Sequence, residues 1–452
     1  MIKAIRGTRD LLPPDTALWN FVEDKVRAVF RAYNFQEIRT PIFEETQLFA
    51  RSVGEETDIV AKEMYTWEDP QQRYIQMRES YREALTALNE RRPPSGKLVP
   101  LELLAGTQSL TLRPEATAGI VRAYIEHNLE ARGLNKLYLV GPMFRRERPQ
   151  KGRYRQFYQI NAEMIGPESA GSGAPARDAE ILELLATLLD RLGIKDWQLQ
   201  LNSIGCANDR AKYNEALRKA LEPVAAKMCA DCQRRAMTNP LRVFDCKVPE
   251  DQPIIEKLPR ISQYLDEPCR KHFQEVQDIL KAVGVPYILN DRLVRGLDYY
   301  TRTAFEFTHG ALGAQNAILG GGRYDGLSES LGGPKAPGIG FAIGEDRLVL
   351  ALKQSAEAVQ AKPDVYIAPL GPGMDREAAR LARDLRRHEV IVELGDESFR
   401  LKKSFEIASK VGARFILIVG ENEVNAGAFA LKNLETGEQV PVPRHELAER
   451  LR

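Results

Sequence analysis

The sequence predicts an α+β protein: an antiparallel sheet flanked by helices, a mostly helical insertion, and a small C-terminal α/β domain. Three observations carry that prediction. Strand-like segments before residue 165 and after residue 285 are joined by turns or long excursions, the connections of antiparallel pairing. From Ala207 to Gln277 the text turns helical, with several prolines and four of the five cysteines. Beyond Lys362–Pro363 strands and helices alternate, as a separately folded α/β unit requires. At 452 residues the chain exceeds one ordinary core. The predicted division is 1–205 with 278–355 for the sheet domain, 206–277 for the insertion and 361–452 for the last domain.

Taken in order, Leu18, Phe21, Val22, Val26, Val29 and Phe30 fall at helical spacing over Ala17–Tyr33, with Asp15 or Thr16 placed to cap. Phe35–Phe43 is a short extended segment ending beside Pro41. Arg82–Arg92 is helix-like, and RPPSGKLVP is an excursion from the core. Ser109–Leu112 predicts a strand, 115–132 a helix, and Lys136–Val140 and Arg155–Met164 two further strands. Residues 168–178 are small and polar, a loop before a periodic helix over Ala179–Leu192. Strand-rich text covers 285–308 and 316–324, and a helix closes the domain over Gly344–Gln354. The last domain runs as strand VYIAPL, amphipathic helix 375–388, strand VIVEL, helix 401–411, strand FILIV, a hairpin over 428–442 and a terminal helix.

Composition narrows the function classes. Hydrophobic residues at 43% and charged residues at 28% are those of a globular protein. A net charge of +1 argues against coating nucleic acid through a global field, though not against a local basic groove. The first twenty residues carry charges and prolines where a signal peptide needs an apolar run. No apolar run reaches about eighteen residues either, so no membrane association and a cytoplasmic location are expected. Five cysteines without secretory signals predict reduced thiols.

Four segments carry chemistry. GPMFRRERPQKGRYRQ (141–156) has six cations, Arg145, Arg146, Arg148, Lys151, Arg153 and Arg155, against the single acid Glu147. A solvated hairpin tip accounts for a charge run as such; four arginines at nearly alternate positions followed by Phe157 point further. Strand alternation sets Arg153, Arg155, Phe157 and Gln159 on one face, where guanidinium and ring suit a phosphate and a stacked purine. The loop could also grip a nucleic-acid backbone. In TLRPEAT (111–117), Glu115 enters a helix after Pro114, a place favourable to a carboxylate on structural grounds alone. Glu163 shares the parity of Gln159 on an apolar strand, where a carboxylate needs a partner. RLVRGLDYYTRTAFEF (292–307) holds Arg295, able to stabilise developing phosphoryl charge; the purely structural alternative has Tyr299 and Tyr300 on the two faces of a strand, one in the core. GGGRYDG (320–326) and GIGFAIGEDR (338–347) allow close backbone approach but fit neither a dinucleotide fingerprint nor a phosphate loop.

Together these segments resemble the class II aminoacyl-tRNA synthetases, and within them the histidyl-tRNA synthetase family. YNFQEIRTPIFE (33–44) resembles motif 1, TLRPEAT with FRRERPQKGRYRQFYQINAEMIG (144–166) motif 2, and GIGFAIGEDRL (338–348) motif 3. LVRGLDYYTRT (293–303) and GAQNAILGGGRYDGL (313–327) resemble the two histidine-specific signatures, and IRGTRDLLP (5–13) also fits. The resemblance covers nearly the whole chain, the last domain being similar to the class IIa anticodon-binding fold.

The resemblance implies a histidine–tRNA ligase with ATP as substrate, Mg2+ beside the β- and γ-phosphates, L-histidine and tRNA-His as partners, and a homodimer formed through motif 1. It implies Arg145 on the α-phosphate, Glu147 on the adenine amino group and Phe157 on the purine ring. Arg153 and Arg347 would bind the β- and γ-phosphates. Glu115, Thr117 and Gln159, with Ala116 between the first two, would hold the α-amino and carboxylate groups of histidine. Glu163 and Tyr300 would pair the imidazole, with Tyr299 and Tyr324 nearby. Arg295 would contact both carboxylate and α-phosphate, making it, with Arg145, the catalytic pair.

Two insertions depart from the family's pattern, about forty residues near 71–108 where a short hairpin connection is usual and a somewhat long loop at 168–178; Ala116, where glycine is common, is a mild change. Cys229-x-x-Cys232 with Cys246 and Cys269 allows a structural zinc. Only one pair has metal-like spacing, so free thiols are the default and no protein metal ligand is assigned. The rival reading is a non-catalytic paralogue regulating ATP phosphoribosyltransferase, which would lack the last domain and the ATP-binding arginines; another adenylate-forming ligase would not call for LVRGLDYY. Over 361–452 cations and anions balance, so anticodon binding would rest on local patches such as Arg400–Lys403.

Overall fold

The computed structural model describes residues 2–54, 57–69, 82–93, 108–150, 152–310, 316–352 and 362–451. They form two compact units, Met1–Ala358 and Val359–Arg452. In the first unit the strands are β1 (Gln36–Glu37), β2 (Phe43–Glu45), β3 (Tyr65–Glu68), β4 (Ser109–Leu112), β5 (Asn135–Phe144) and β6 (Gln156–Ile165). They continue as β7 (Trp197–Ser203), β8 (Ile288–Leu289), β9 (Thr301–His309), β10 (Ala317–Arg323) and β11 (Gly338–Gly344). The main sheet has eight strands in the order β1-β5-β6-β11-β10-β9-β7-β8, antiparallel except for the parallel edge pairs β1·β5 and β7·β8. β2, β4 and β3 make a separate antiparallel sheet.

Helices cover the two faces of the main sheet with separate cores. On one face α1 (Asp15–Ala32), α4 (Pro175–Arg191) and α8 (Glu345–Leu352) pack on Ile160, Ala162, Met164, Phe305, Phe307, Ile339, Phe341 and Ile343. α1 buries Leu18, Trp19, Val22, Val26, Val29 and Phe30. Each such side chain contributes on the order of 1.5–3 kcal/mol by leaving water. Expected caps Asp15 and Thr16 lie inside the helix, whose N-cap is Pro14. On the opposite face α3 (Thr117–Glu126) joins Leu137, Leu139, Met143 and Ile165 in a core that also takes Tyr299, Tyr300 and Tyr324. α2 (Thr46–Val53) packs beside α3 through Phe49 and Val53.

Several predicted boundaries move. The helix expected over 115–132 ends at Glu126, because Asn128 turns left-handed (φ 48°) before a 3-10 turn over Leu129–Arg132. The loop expected at 168–178 yields to α4 from Pro175, a first-turn position where the missing N–H costs nothing. The larger change is at 285–308. Only Ile288–Leu289 and Thr301–His309 are strands, and the segment carrying Arg295–Tyr300 is irregular. Its polar backbone is satisfied elsewhere: Asp298 N–H donates to Val53 O (3.1 Å), and Leu293 O accepts from Asn202 (2.9 Å). Of the unusual segment near 71–108, 82–89 is helical and most of the remainder lies outside the described residues.

The insertion leaves β7 at Cys206 and contains α5 (Ala207–Leu221), α6 (Ala230–Thr238) and α7 (Glu267–Ala282). It has its own core of Tyr213, Leu217, Cys232, Val243, Phe244, Ile255 and Cys269. α7 belongs to two cores, since Cys269 packs within the insertion while Val276 and Leu280 join the sheet domain. The second unit has strands β12 (Val365–Leu370), β13 (Val392–Leu394), β14 (Phe415–Gly420), β15 (Ala428–Asn433) and β16 (Gln439–Pro443), ordered β13-β12-β14-β15-β16. Its first three strands pair in parallel and the hairpin antiparallel. α9 (Met374–Arg387) buries Ala378, Leu381, Ala382 and Leu385, its apolar stripe, against them.

Candidate active site

The cross-strand register decides which side chains meet. On one sheet face β6 presents Phe157, Gln159, Asn161 and Glu163. Opposite them β11 presents Gly344, Ala342 and Gly340, and β10 continues with Gly320 and Gly322. Polar side chains therefore stand beside a floor made almost entirely of glycine. Two of these glycines are required by close approach: a Cβ on Gly340 would lie 1.6 Å from Glu163 Oε2, and one on Gly320 2.6 Å from the Arg295 guanidinium. The glycine runs seat two charged side chains.

Glu163 is fully buried. Its Oε1 accepts from Thr117 Oγ1 at 2.7 Å and its Oε2 from Tyr324 OH at 2.6 Å. Burial above all, with the nearby Glu115 carboxylate, pushes the Glu163 carboxyl up to about 8 against those two hydrogen bonds. Glu115 accepts Thr117 N–H and Ala118 N–H, both at 2.8 Å, and so caps α3; burial raises its carboxyl as well. Ala116 is the N-cap residue, its methyl buried in the core beneath. The Tyr299 and Tyr300 rings lie 4.7 Å apart and Tyr299 and Tyr324 5.8 Å apart, edge-on. Tyr299 and Tyr300 thus share one buried cluster, against the structural alternative in which a strand divides them. They precede β9 in irregular backbone, and the alternation rule does not apply there. The result is a buried cluster of acceptor carboxylates and tyrosine hydroxyls, chemistry suited to a small substrate carrying N–H donors on a flat ring.

Next to it a cavity of about 300 Å³ is lined by Arg145, Glu147, Arg153, Phe157, Gln159, Arg295, Glu306 and Arg347, among others. Arg145 donates from Nε to Pro114 O (2.9 Å) and lies 5.2 Å from the Phe157 ring centroid. Arg153 reaches Glu147 Oε2 at 3.1 Å. Arg347 is held below its ordinary range by burial and by Arg153. Arg295 is half-buried and hydrogen-bonds Glu306 Oε2 at 3.0 Å. Burial opposes its charge, but Tyr300, Glu306 and Asp245 outweigh burial and raise it. Four guanidinium groups thus converge on one cavity, an arrangement that an anion of several charges relieves. Gln159 Oε1 is buried with no hydrogen-bond partner among the described residues, a further vacancy for a ligand donor.

The structure brings Glu115, Thr117, Glu163, Tyr299, Tyr300 and Tyr324 into one buried cluster. It brings Arg145, Glu147, Arg153, Phe157, Gln159, Arg295 and Arg347 around the adjoining cavity. Arg155, expected on the face of Phe157, does not join them. Its N–H donates to Gly7 O (2.7 Å) and its side chain packs on Gly7, because β6 starts only at Gln156. Lys151 lies outside the described residues. Arg323 of GGGRYDG serves the fold: Nε meets Asp178 Oδ1 (2.8 Å) with both side chains fully buried, and NH2 meets Ser172 O (2.7 Å).

Sequence reasoning missed three contributors. Glu306 lines the cavity, and its alternation with Phe305 and Phe307 was the available signal. Asn161, between Gln159 and Glu163, has both amide atoms buried without partners among the described residues. Asp346 accepts from Arg9 (2.5 Å) and from Tyr158 N–H (3.1 Å), fastening the N-terminal arm to the sheet.

Comparison with known proteins agrees with this geometry. Residues 97–348 match the family model described as histidyl-tRNA synthetase, and residues 364–452 the model of the anticodon binding domain. The chain is 63% identical over 449 residues to the histidine--tRNA ligase of Koribacter versatilis, covering 99% of this chain and 95% of that protein. It is 56% identical to that of Solibacter usitatus, covering 100% and 99%. The crystal structure of apo S. aureus histidyl-tRNA synthetase matches with a TM-score of 0.76 at 35% identity, covering 100% of both chains.

Proposed function

The chain belongs to the histidyl-tRNA synthetase family, and from that premise we propose how its residues divide the reaction between them. The activity is ATP-dependent ligation of histidine to tRNA-His, with histidine, ATP and the tRNA as substrates. The regulatory-paralogue reading is not favoured, since full-length relatives are histidine--tRNA ligases and the anticodon-binding model matches the last domain.

The observation that carries the assignment is the buried carboxylate–tyrosine cluster standing beside a four-arginine cavity, with Phe157 and Gln159 of the same strand face lining that cavity. The histidine ring binds at this cluster, where Glu163 pairs one imidazole nitrogen and Tyr300 the other, with Tyr299 and Tyr324 packed around. A site that pairs both nitrogens rejects amino acids lacking them, because its own polar groups would be left unpaired. Glu115, Thr117 and Gln159 take the α-amino and carboxylate groups beside the backbone of Ala116. Phe157 stacks on adenine, Glu147 accepts from its amino group, Arg145 holds the α-phosphate, and Arg153 and Arg347 the β- and γ-phosphates.

Histidine carboxylate oxygen attacks the α-phosphorus, and the bond to the bridging oxygen breaks, releasing pyrophosphate and leaving histidyl-adenylate. Arg295 reaches both the attacking carboxylate and the α-phosphoryl oxygens, whose charge grows in the transition state. The terminal ribose hydroxyl of the tRNA then attacks the carbonyl carbon of the adenylate and AMP departs. The donor set fits Mg2+ as well: Glu306 is a partly exposed carboxylate in the arginine cavity, the hard oxygen ligand such an ion takes together with phosphates. When bound, the ion supplies neutralisation of the triphosphate charge.

A homodimer through motif 1 is supported by exposed Ile42, Phe43 and Trp67, the last two in ring contact at 6.0 Å on the small sheet. The sheet-domain division 1–205 with 278–355, the insertion 206–277 and the anticodon-binding domain 361–452 are the proposed functional units. Among the described residues no helix is long and apolar enough to cross a membrane; a cytoplasmic site of action is proposed. Histidine-dependent ATP–pyrophosphate exchange followed by tRNA charging tests the reading. Arg295→Ala is expected to cut exchange by about 10²–10³ with little change in histidine affinity. Exchange near the wild-type rate would remove Arg295 from its role.

A further inference from the structure

The insertion gathers side chains that the reaction does not use. Cys229, at the N-cap of α6, and Cys232, within its first turn, face Cys246 and Asp251, which come from the segment that folds back over them. The spacing is Cys-x2-Cys-x13-Cys-x4-Asp. Their ligand atoms, one from each residue, all lie within 4.8 Å of one another, and three of the four residues are buried. Cys229 Sγ and Cys246 Sγ are 3.9 Å apart. Two thiolates on one tetrahedral zinc, each about 2.3 Å from the ion, stand about 3.8 Å apart.

The surroundings are arranged for thiolates. Cys229 Sγ accepts the Cys232 N–H (3.5 Å), and Cys246 Sγ accepts the Val248 N–H (3.4 Å). Asp251 is oriented by the Cys229 N–H, which reaches its two oxygens at 3.1 and 3.3 Å. Backbone donors of this kind fix the ligands around a metal and spread the charge on sulfur. We propose that Cys229, Cys232, Cys246 and Asp251 bind one structural zinc ion. Binding releases the three thiol protons, including the one now shared between Cys246 Sγ and Asp251 Oδ2 at 3.1 Å, and leaves three thiolates and a carboxylate on the ion. Thiolate softness and the tetrahedral count select zinc over a hard cation. The sequence showed only one suitable pair; folding brings the third sulfur and the carboxylate to it.

Cys206, Asp209, Asp266 and Cys269 also cluster, but differ in chemistry. Asp209 accepts the N–H groups of Cys206 and Asp266 on its two oxygens, and Asp266 accepts that of Cys269. These carboxylates cap α5 and α7, and only two sulfurs remain.

The ion closes residues 229–251 into a clip, and the clip touches the reaction site. Asn239 Nδ2 donates to Asp298 Oδ1 (3.0 Å) and the Arg242 guanidinium to Gly296 O, both within the irregular segment that carries Arg295. The zinc thus braces the backbone that follows that arginine, at Gly296 and Asp298.

The test is metal content of the full-length protein, purified under reducing conditions without chelator or added metal. One zinc per chain is expected, replaceable by Co2+ with the d–d and thiolate charge-transfer bands of a tetrahedral site. Cys246→Ser and Asp251→Ala should each lower occupancy at least tenfold under dialysis, and Cys206→Ser should leave it unchanged. A folded native chain that carries no zinc and takes up no Co2+ would overturn the proposal. So would a Cys229–Cys246 disulfide in the intact mass, or full occupancy in Cys246→Ser. Where a variant does not fold, native stoichiometry and the Co2+ spectrum decide. None of these readouts depends on histidine activation.

Discussion

Glu163→Gln separates what the buried carboxylate does for the substrate from what it costs the fold. Burial moves the Glu163 carboxyl from its ordinary 4.5 to about 8. The folded chain therefore holds this proton more tightly than the unfolded chain does. Its contribution to stability is fully present below pH 4.5 and is lost as pH rises through 8. At about 1.4 kcal/mol per pH unit, the loss reaches roughly 5 kcal/mol above pH 8 and roughly 3 kcal/mol at pH 7. The side chain is fully buried, so solvent screening does not reduce it. Glutamine has the shape of the protonated acid, can still accept from Tyr324 or Thr117, and does not titrate. The variant should be close to wild type at pH 5 and more stable at pH 8.5 by a few kcal/mol. Trp19, Trp67 and Trp197 all lie in the first unit, so tryptophan fluorescence in urea follows its unfolding. The same substitution should lower kcat/KM for histidine in pyrophosphate exchange by at least about 100-fold, because glutamine cannot give up a proton to pair the imidazole as a carboxylate. Stability curves of the two proteins that stay parallel from pH 5 to 8.5 would refute the reasoning.

Two further substitutions probe the scaffold. Gly340→Ala places a methyl on the Glu163 carboxylate and must displace it; a loss of about 1–3 kcal/mol in urea unfolding is expected, with a raised KM for histidine. Unchanged values for both would mean that the strands open to admit the methyl at no cost. Asp178→Asn breaks a buried pair with Arg323 and weakens the Thr303 hydroxyl bond (2.5 Å). It should cost about 3–5 kcal/mol in thermal or urea unfolding, whereas a change under about 1 kcal/mol would show the pair to be dispensable.

The parts legible in the sequence are those set by local periodicity. Alternation placed Phe157, Gln159 and Glu163 on one face of β6, and a period of two belongs to the strand itself whatever it pairs with. Helical spacing likewise marked Leu18, Val22, Val26 and Val29 as the buried stripe of α1. Alternation failed where the backbone is irregular. Tyr299 and Tyr300 share one buried cluster because the segment before β9 sends its hydrogen bonds to Val53 and to the insertion. It failed also at Arg155, one residue outside the strand and drawn to Gly7.

Tertiary structure decided which distant groups meet. Asp178 and Arg323, 145 residues apart, neutralise each other beneath the sheet, so an arginine from a ligand-like glycine motif serves the core. Glu306 and Arg295 meet beside Gly320, the cross-strand partner of Glu306 on β10, and Cys246 and Asp251 reach Cys229 only when the insertion folds back over α6. The sequence by itself determined the side chains and the faces they take on each element. The register of the strands and the path of the irregular segments determined their neighbours, and charge pairing, proton affinity and metal ligation depend on neighbours at a few ångströms.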